Sequence, residues 1–290
     1  MNKKLISALI VSTALVVLTA CSSAKQEPKT APATQPAAPA AQVVEPGKIA
    51  FDYPVAESTT AKAGDYVLVP SSSTIKSSLE KGGKDTVFIF YAAKMVEPGS
   101  KESKVEDLTG DKFSAPNALI VPIKSGETAA KGDLVLTWWQ SGSGMTKGFV
   151  TEAGKTPKVV YSDGSTKGED TLKENTFHKL TGELEAGATV AAKDGSFFNH
   201  GVVINVSGDK VLVNGFAGFM TVYNKSDVTP MPVKLEVKAG DKVMAPVIGS
   251  YKEVTVKSVK ADKGQFEGEY DWAGEKTTET FYFGEVISKL

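Results

Sequence analysis

The chain has 290 residues, 41% of them hydrophobic and 23% charged, with a formal net charge of −1. That composition is globular, and the length leaves room for several small domains rather than one. All 33 basic residues are Lys, so the chain has neither the Arg forks that read phosphate and guanine nor a general attraction for polyanions, which argues against nucleic-acid binding.

The N-terminus begins with Lys3 and Lys4, followed by the uncharged, largely apolar run Leu5–Leu18. This run is shorter than the roughly 20 residues of a spanning helix and has the layout of an export signal over residues 1–20. Leu18-Thr19-Ala20-Cys21 then resembles the lipobox of bacterial lipoproteins. The resemblance implies cleavage before Cys21, a diacylglycerol on its sulfur and an acylated new amino group. Several acyl chains at about 0.8 kcal/mol per buried CH₂ anchor a protein without a transmembrane helix. Cys21 is the only Cys, so its acylation would leave neither a disulfide nor a thiol nucleophile. Loss of Lys3 and Lys4 with the leader takes the net charge from −1 to −3. Ser22 in place of Asp resembles the outer-membrane class of these proteins, which sets outer-membrane anchoring as the expected location, with either face open.

Residues 21–48 carry Pro28, Pro32, Pro36, Pro39 and Pro46, many Ala and no aromatic. Such a segment cannot bury enough apolar surface to offset its ordering entropy. It reads as a flexible tether, partly polyproline II, reaching about 80 Å if fully extended.

The remainder divides into four β modules, expected at 49–125, 126–182, 183–234 and 235–290. Each opens on a Gly-led turn into a strand, at Gly64, Gly132, Gly187 and Gly240. The third is the most regular, with strands Thr189–Ala192, Phe198–Val206, Lys210–Phe216 and Met220–Tyr223, closed by Asp227–Pro230. In the fourth, strands are expected at Lys242–Pro246, Lys252–Val259, Gln265–Trp272 and Thr277–Phe283. Phe266–Trp272 alternates aromatics and Gly with carboxylates, the period of a half-buried strand. The second has Asp133–Trp139, Gly148–Glu152, Lys158–Tyr161 and Thr176–Leu180. The first is least regular: a β-rich run at Asp85–Val96 precedes a polar, loop-like Ser100–Ser114.

The third module, through Gly187–Ala192, Asp194–Val203 and Asp227–Pro230, resembles the Tudor and SH3-like barrel family. The fourth matches in part and the first two loosely. The resemblance implies an all-β fold of tandem small barrels, closed or nearly so. Eukaryotic Tudor domains hold methylated Lys or Arg in an aromatic cage, and the positions carried over are Phe198, Phe216 and Tyr223, with Phe197 and Phe219 close by. The alternative, favoured by the dominance of aromatics in small cores, is that these rings fill the barrel. Trp138-Trp139 is a second candidate contact; neighbours on a strand face opposite ways, so one should point to the core and the other to solvent or the next module. Trp272, on the regular aromatic face of its strand, reads as core.

Signatures of catalysis are missing. His178 and His200 lie in different modules, and no G-x-S-x-G, H-E-x-x-H, Walker A or EF-hand pattern occurs. No cofactor or metal is expected. The expected function is therefore that of a non-enzymatic, lipid-anchored envelope protein. Its barrels would act as a structural or protein-binding module, with an envelope or host protein as partner. Two alternatives stand beside it: peptidoglycan binding, as implied by bacterial SH3-like domains, and a hydrolase with an unmarked carboxylate site.

Overall fold

The computed structural model describes residues 45–142, 144–162 and 169–290. The leader, Cys21 and most of the tether lie outside them. The described residues are predominantly β. Strands β1 (Tyr66–Pro70), β2 (Phe90–Glu97), β3 (Glu102–Asp107), β4 (Lys112–Pro116) and β5 (Val121–Pro122) form one antiparallel sheet. A second contains β6 (Leu134–Trp138), β7 (Met145–Glu152), β8 (Lys158–Tyr161), β9 (Glu169–Thr171) and β10 (His178–Lys179). The third sheet joins β11 (Thr189–Asp194), β12 (Phe197–Ser207), β13 (Lys210–Gly215), β14 (Met220–Asn224) and β15 (Val228–Pro230) to β16 (Lys242–Val247), β17 (Ser250–Lys260), β18 (Gln265–Trp272) and β19 (Glu275–Tyr282).

One local device recurs four times. Gly64, Gly132, Gly187 and Gly240 all have φ near +90°, a conformation glycine reaches without steric cost. Their amides donate to Met95, Val150, Val203 and Val256, each on the second strand of its own module. The ladder slips just after those four acceptors, a bulge that bends the second strand. Strand order repeats as well. The first strand lies between the second and the last in β5-β1-β2-β3-β4, in β10-β6-β7-β8-β9 and in β15-β11-β12-β13-β14. In the fourth module a Met244–Ile287 bridge takes the place of the last strand. The first module, loosest in sequence, thus has the same order as the third.

One expectation for the first module is corrected. Ser100–Ser114 is not loop-like but contributes the β3–β4 hairpin, whose inward side is Ser103, Val105 and Ala115 with the half-buried Phe113 packed beside them. A helix, α1 (Ser72–Lys81), interrupts the all-strand pattern. Ser71 caps it, its Oγ accepting from the Thr74 amide at 3.2 Å.

The modules do not hang as separate beads. One hydrophobic cluster combines Val67, Phe88 and Ile120 of the first module with Leu136 and Trp138 of the second and Ile204, Leu212 and Met220 of the third. The third and fourth meet where Asn199 of β12 pairs with Ser250 of β17.

Candidate binding site

The β12–β17 junction shapes a pocket. Val247 and Ser250 are joined by the two-residue turn Ile248-Gly249, with φ of 45° and 79°. Two positive φ values in a tight hairpin normally select Asn-Gly or Asp-Gly. A β-branched residue there is a steric outlier, and this Ile is also 61% exposed. The Gly249 carbonyl accepts from the His200 amide at 2.9 Å. A Cβ on Gly249 would come within 2.6 Å of Phe216 Cβ, so glycine is what lets that ring lie against the turn.

Phe216 opens a short turn in which Ala217 (φ 55°) and Gly218 (φ 80°) carry the chain outward. The first module grips this turn. The Phe88 amide donates to the Gly218 carbonyl at 2.8 Å, Asn214 Nδ2 donates to the Phe88 carbonyl at 3.0 Å, and Val87 bridges to Phe219. Phe219, Thr221 and Tyr223 then line the pocket at alternate positions, as one side of an extended chain must. The pocket encloses about 290 Å³, with Asn199 and Ser250 as polar rim. No carboxylate or amine lines it, and its titratable groups are His200 and Tyr223. Val87, Phe216, Phe219 and Ile248 are all exposed, and they form a continuous apolar ridge across three modules.

A second cavity of about 380 Å³ lies behind His200, between the second, third and fourth modules. Lys147 of β7 enters it from a strand whose other residues up to Val150 are uncharged. Its Nζ lies 3.7 Å from Glu285 Oε1 and also donates to Thr189 Oγ1. The Lys147 side chain is buried and that of Glu285 largely so. Burial holds the Lys147 pKa below its ordinary value, against the opposing pull of Glu285. His200 lines both cavities. Its ring sits 6.0 Å from that of Tyr251, and neither His200 Nε2 nor Tyr251 Oη has a hydrogen-bond partner. Burial first, and Lys147 second, push the His200 pKa down to about 3, so the imidazole is neutral at pH 7. Burial, followed by Glu285, raises that of Tyr251 well above the ordinary phenol value.

The candidate residues have different fates. Phe216 and Tyr223 come together at the pocket with Phe219. Phe216 is 60% exposed, so the reading of it as core is corrected: the left-handed Ala217-Gly218 turn lifts it off the sheet. Phe198 is half-buried on the opposite side of β12, against Tyr251 and Met231, and takes no part in the pocket. Phe197 is exposed beside the β11–β12 turn. Trp138 is buried, its ring 5.0 Å from Tyr66 of the first module, and so seals a contact between modules. Trp139 points the other way and stacks on Tyr161 at 5.7 Å and 6°. Trp272 is not core: it lies one step beyond the buried Phe266–Gly268–Tyr270 face, is 39% exposed, and carries Lys252 Nζ 4.1 Å from its ring centre.

His178 and His200 are not brought into one site. His178 Nδ1 lies 2.9 Å from Glu127 Oε1 and its Nε2 3.6 Å from Glu185 Oε2. Among the described residues, no cluster of three His, Cys, Asp or Glu has metal-binding geometry. Sequence reasoning missed Ile248 and the Lys147–Glu285 pair, and named His200 only as one of two separated histidines. The available signals were an Ile-Gly where a hairpin favours Asn-Gly, and a lone Lys inside Met145–Val150. No protein-family model matches the chain, and no curated protein matches it.

Proposed function

We propose that this is a non-enzymatic, lipid-anchored envelope protein that holds a protein partner in the Phe216–Phe219–Ile248 pocket. The observation that carries the reading is Ile248, an apolar β-branched residue kept exposed in a left-handed turn beside two exposed rings. Backbone strain and exposed apolar area both cost stability. Finding them together at one pocket favours a binding role. The pocket suits an uncharged apolar segment of a partner. A methylammonium cage would want carboxylates around the rings, and none lines this one. The hydrolase alternative gains little from the inner cavity, because Glu285 there is already engaged by Lys147 at 3.7 Å.

The test uses the full chain in living cells, with photoreactive benzoylphenylalanine in place of Phe216. Illumination should give one discrete protein adduct, joined through an uncharged apolar stretch of the partner and lost in Ile248→Asn and Phe219→Ser backgrounds. If there is no adduct and the purified mature chain pellets with peptidoglycan, the wall-binding alternative replaces this reading. Cys21→Ala should move the protein to the soluble fraction; retention in the membrane fraction would refute the anchor.

A further inference from the structure

His200 lines both cavities, half-buried as a residue but with its ring Nε2 sealed from solvent. On the pocket side its strand is tied to the Ile248-Gly249 turn through the bond from the His200 amide to the Gly249 carbonyl, at 2.9 Å. The next residue back, Asn199, accepts from Ser250 Oγ at 3.3 Å. On the inner side lie Lys147 and Glu285, with Glu279 and Tyr282 farther along the same cavity. Tyr251 of β17 flanks the ring, and Tyr223 of β14 lines the pocket that His200 also borders. Asp194 and Lys193 of β11 are exposed at the hairpin end, where Asp194 accepts from Asn199. The nearest fixed charge acting on the imidazole is thus the Lys147 cation. The ring's Nε2 is sealed from solvent without a partner to receive a second proton's charge.

We propose that His200 is an acid-triggered release switch for the aromatic pocket: protonation drives the imidazole from its seat between the two cavities, displaces the Ile248-Gly249 turn bonded to its strand, and frees the occupant. This rests on the reading of the pocket as the partner site. A charged imidazole in the closed seat would be desolvated, unpaired and next to a like charge, three penalties at once. Moving outward relieves all three.

The sign follows from the depressed value. The closed state keeps His200 neutral down to about pH 3, whereas an opened state with a solvated imidazole takes up a proton near pH 6.5. Between those limits the opened state binds more protons, so the closed state is favoured at neutral pH and loses ground as pH falls. From pH 7.5 to pH 4.5 the closed-to-open ratio drops by about 100-fold.

The experiment places 4-fluorophenylalanine at position 216 in the mature full-length protein and follows its fluorine resonance from pH 7.5 to pH 4. The resonance should move in the wild type, with a midpoint below that of free histidine, and stay flat in His200→Gln. The double variant Lys147→Met/Glu285→Leu removes the neighbouring cation, so the closed and opened states differ less in proton affinity and the acid-driven movement should shrink. Circular dichroism at each pH separates local opening from unfolding. No movement in the wild type, or the same movement in His200→Gln, overturns the switch. The photo-adduct at Phe216 should also fade on acidification in wild-type cells and persist in His200→Gln. An adduct absent at every pH, with the fluorine titration intact, counts against the partner reading and not against the switch. An adduct that persists in acid in the wild type counts against the switch alone.

Discussion

Lys147 shows how one charge can organise a junction. It projects from β7 into a seam where Thr189 of the third module and Glu285 at the end of the fourth converge on its ammonium. A buried ion pair gains little over a well-packed apolar pair, but breaking it leaves an uncompensated charge. Lys147→Met alone should therefore destabilise the fold by about 3–5 kcal/mol. Lys147→Met/Glu285→Leu should recover most of that loss. Guanidinium denaturation of the single and double variants measures the difference. Equal losses in both would mean that the amine acts through its hydrogen bond to Thr189 and not through its charge.

The Ile248-Gly249 turn carries the corresponding argument at the level of an element. A left-handed residue other than Gly, Asn or Asp costs roughly 1–2 kcal/mol, and the turn places that cost on an exposed Ile. Ile248→Asn should raise stability by about 1 kcal/mol, read as a higher denaturation midpoint at unchanged slope. The same change should abolish the photo-adduct, because it removes an apolar wall of the pocket. A stability gain with binding intact would show that the strain has no role in recognition.

Elements also differ in how plainly the sequence announces them. Phe266–Tyr270 was legible because Phe266, Gly268 and Tyr270 all face a core, and the same alternation carried one step too far made Trp272 look buried. The β3–β4 hairpin was hidden because its inward face offers only two positions per strand, Ser103 and Val105 on one and Phe113 and Ala115 on the other, too few and too mixed to show a period of two. Helix α1 was hidden for a related reason: of its ten residues only Ile75 and Ser78 are buried, so no apolar stripe recurs. At the site, Phe216 looked like core because ring count and proximity to strands say nothing about a left-handed Ala217. Partners such as Ser250 and Glu285 come from another module, and that proximity is written in the packing, not in local spacing.

At the scale of the whole molecule, four modules of one strand order could behave as independent beads or as a single body, and the cores decide which. Trp138 contributes to its own sheet and to the first module's core against Tyr66, while Leu136 sits in the same cluster as Val67 and Leu212. Lys147, Thr189 and Glu285 tie the second, third and fourth modules at the opposite seam. Removing one module therefore uncovers apolar surface on its neighbours. Equilibrium unfolding of residues 45–290 should then be one cooperative transition, with tryptophan fluorescence and far-ultraviolet circular dichroism coinciding. Trp138→Ala, which deletes a buried ring shared by two modules, should lower stability by about 3–5 kcal/mol and keep the two signals together. Independent beads would instead show separated transitions, with Trp138→Ala shifting only one of them. That outcome would also weaken the acid switch, since a proton at His200 can move the pocket only if the modules meeting there respond as one body.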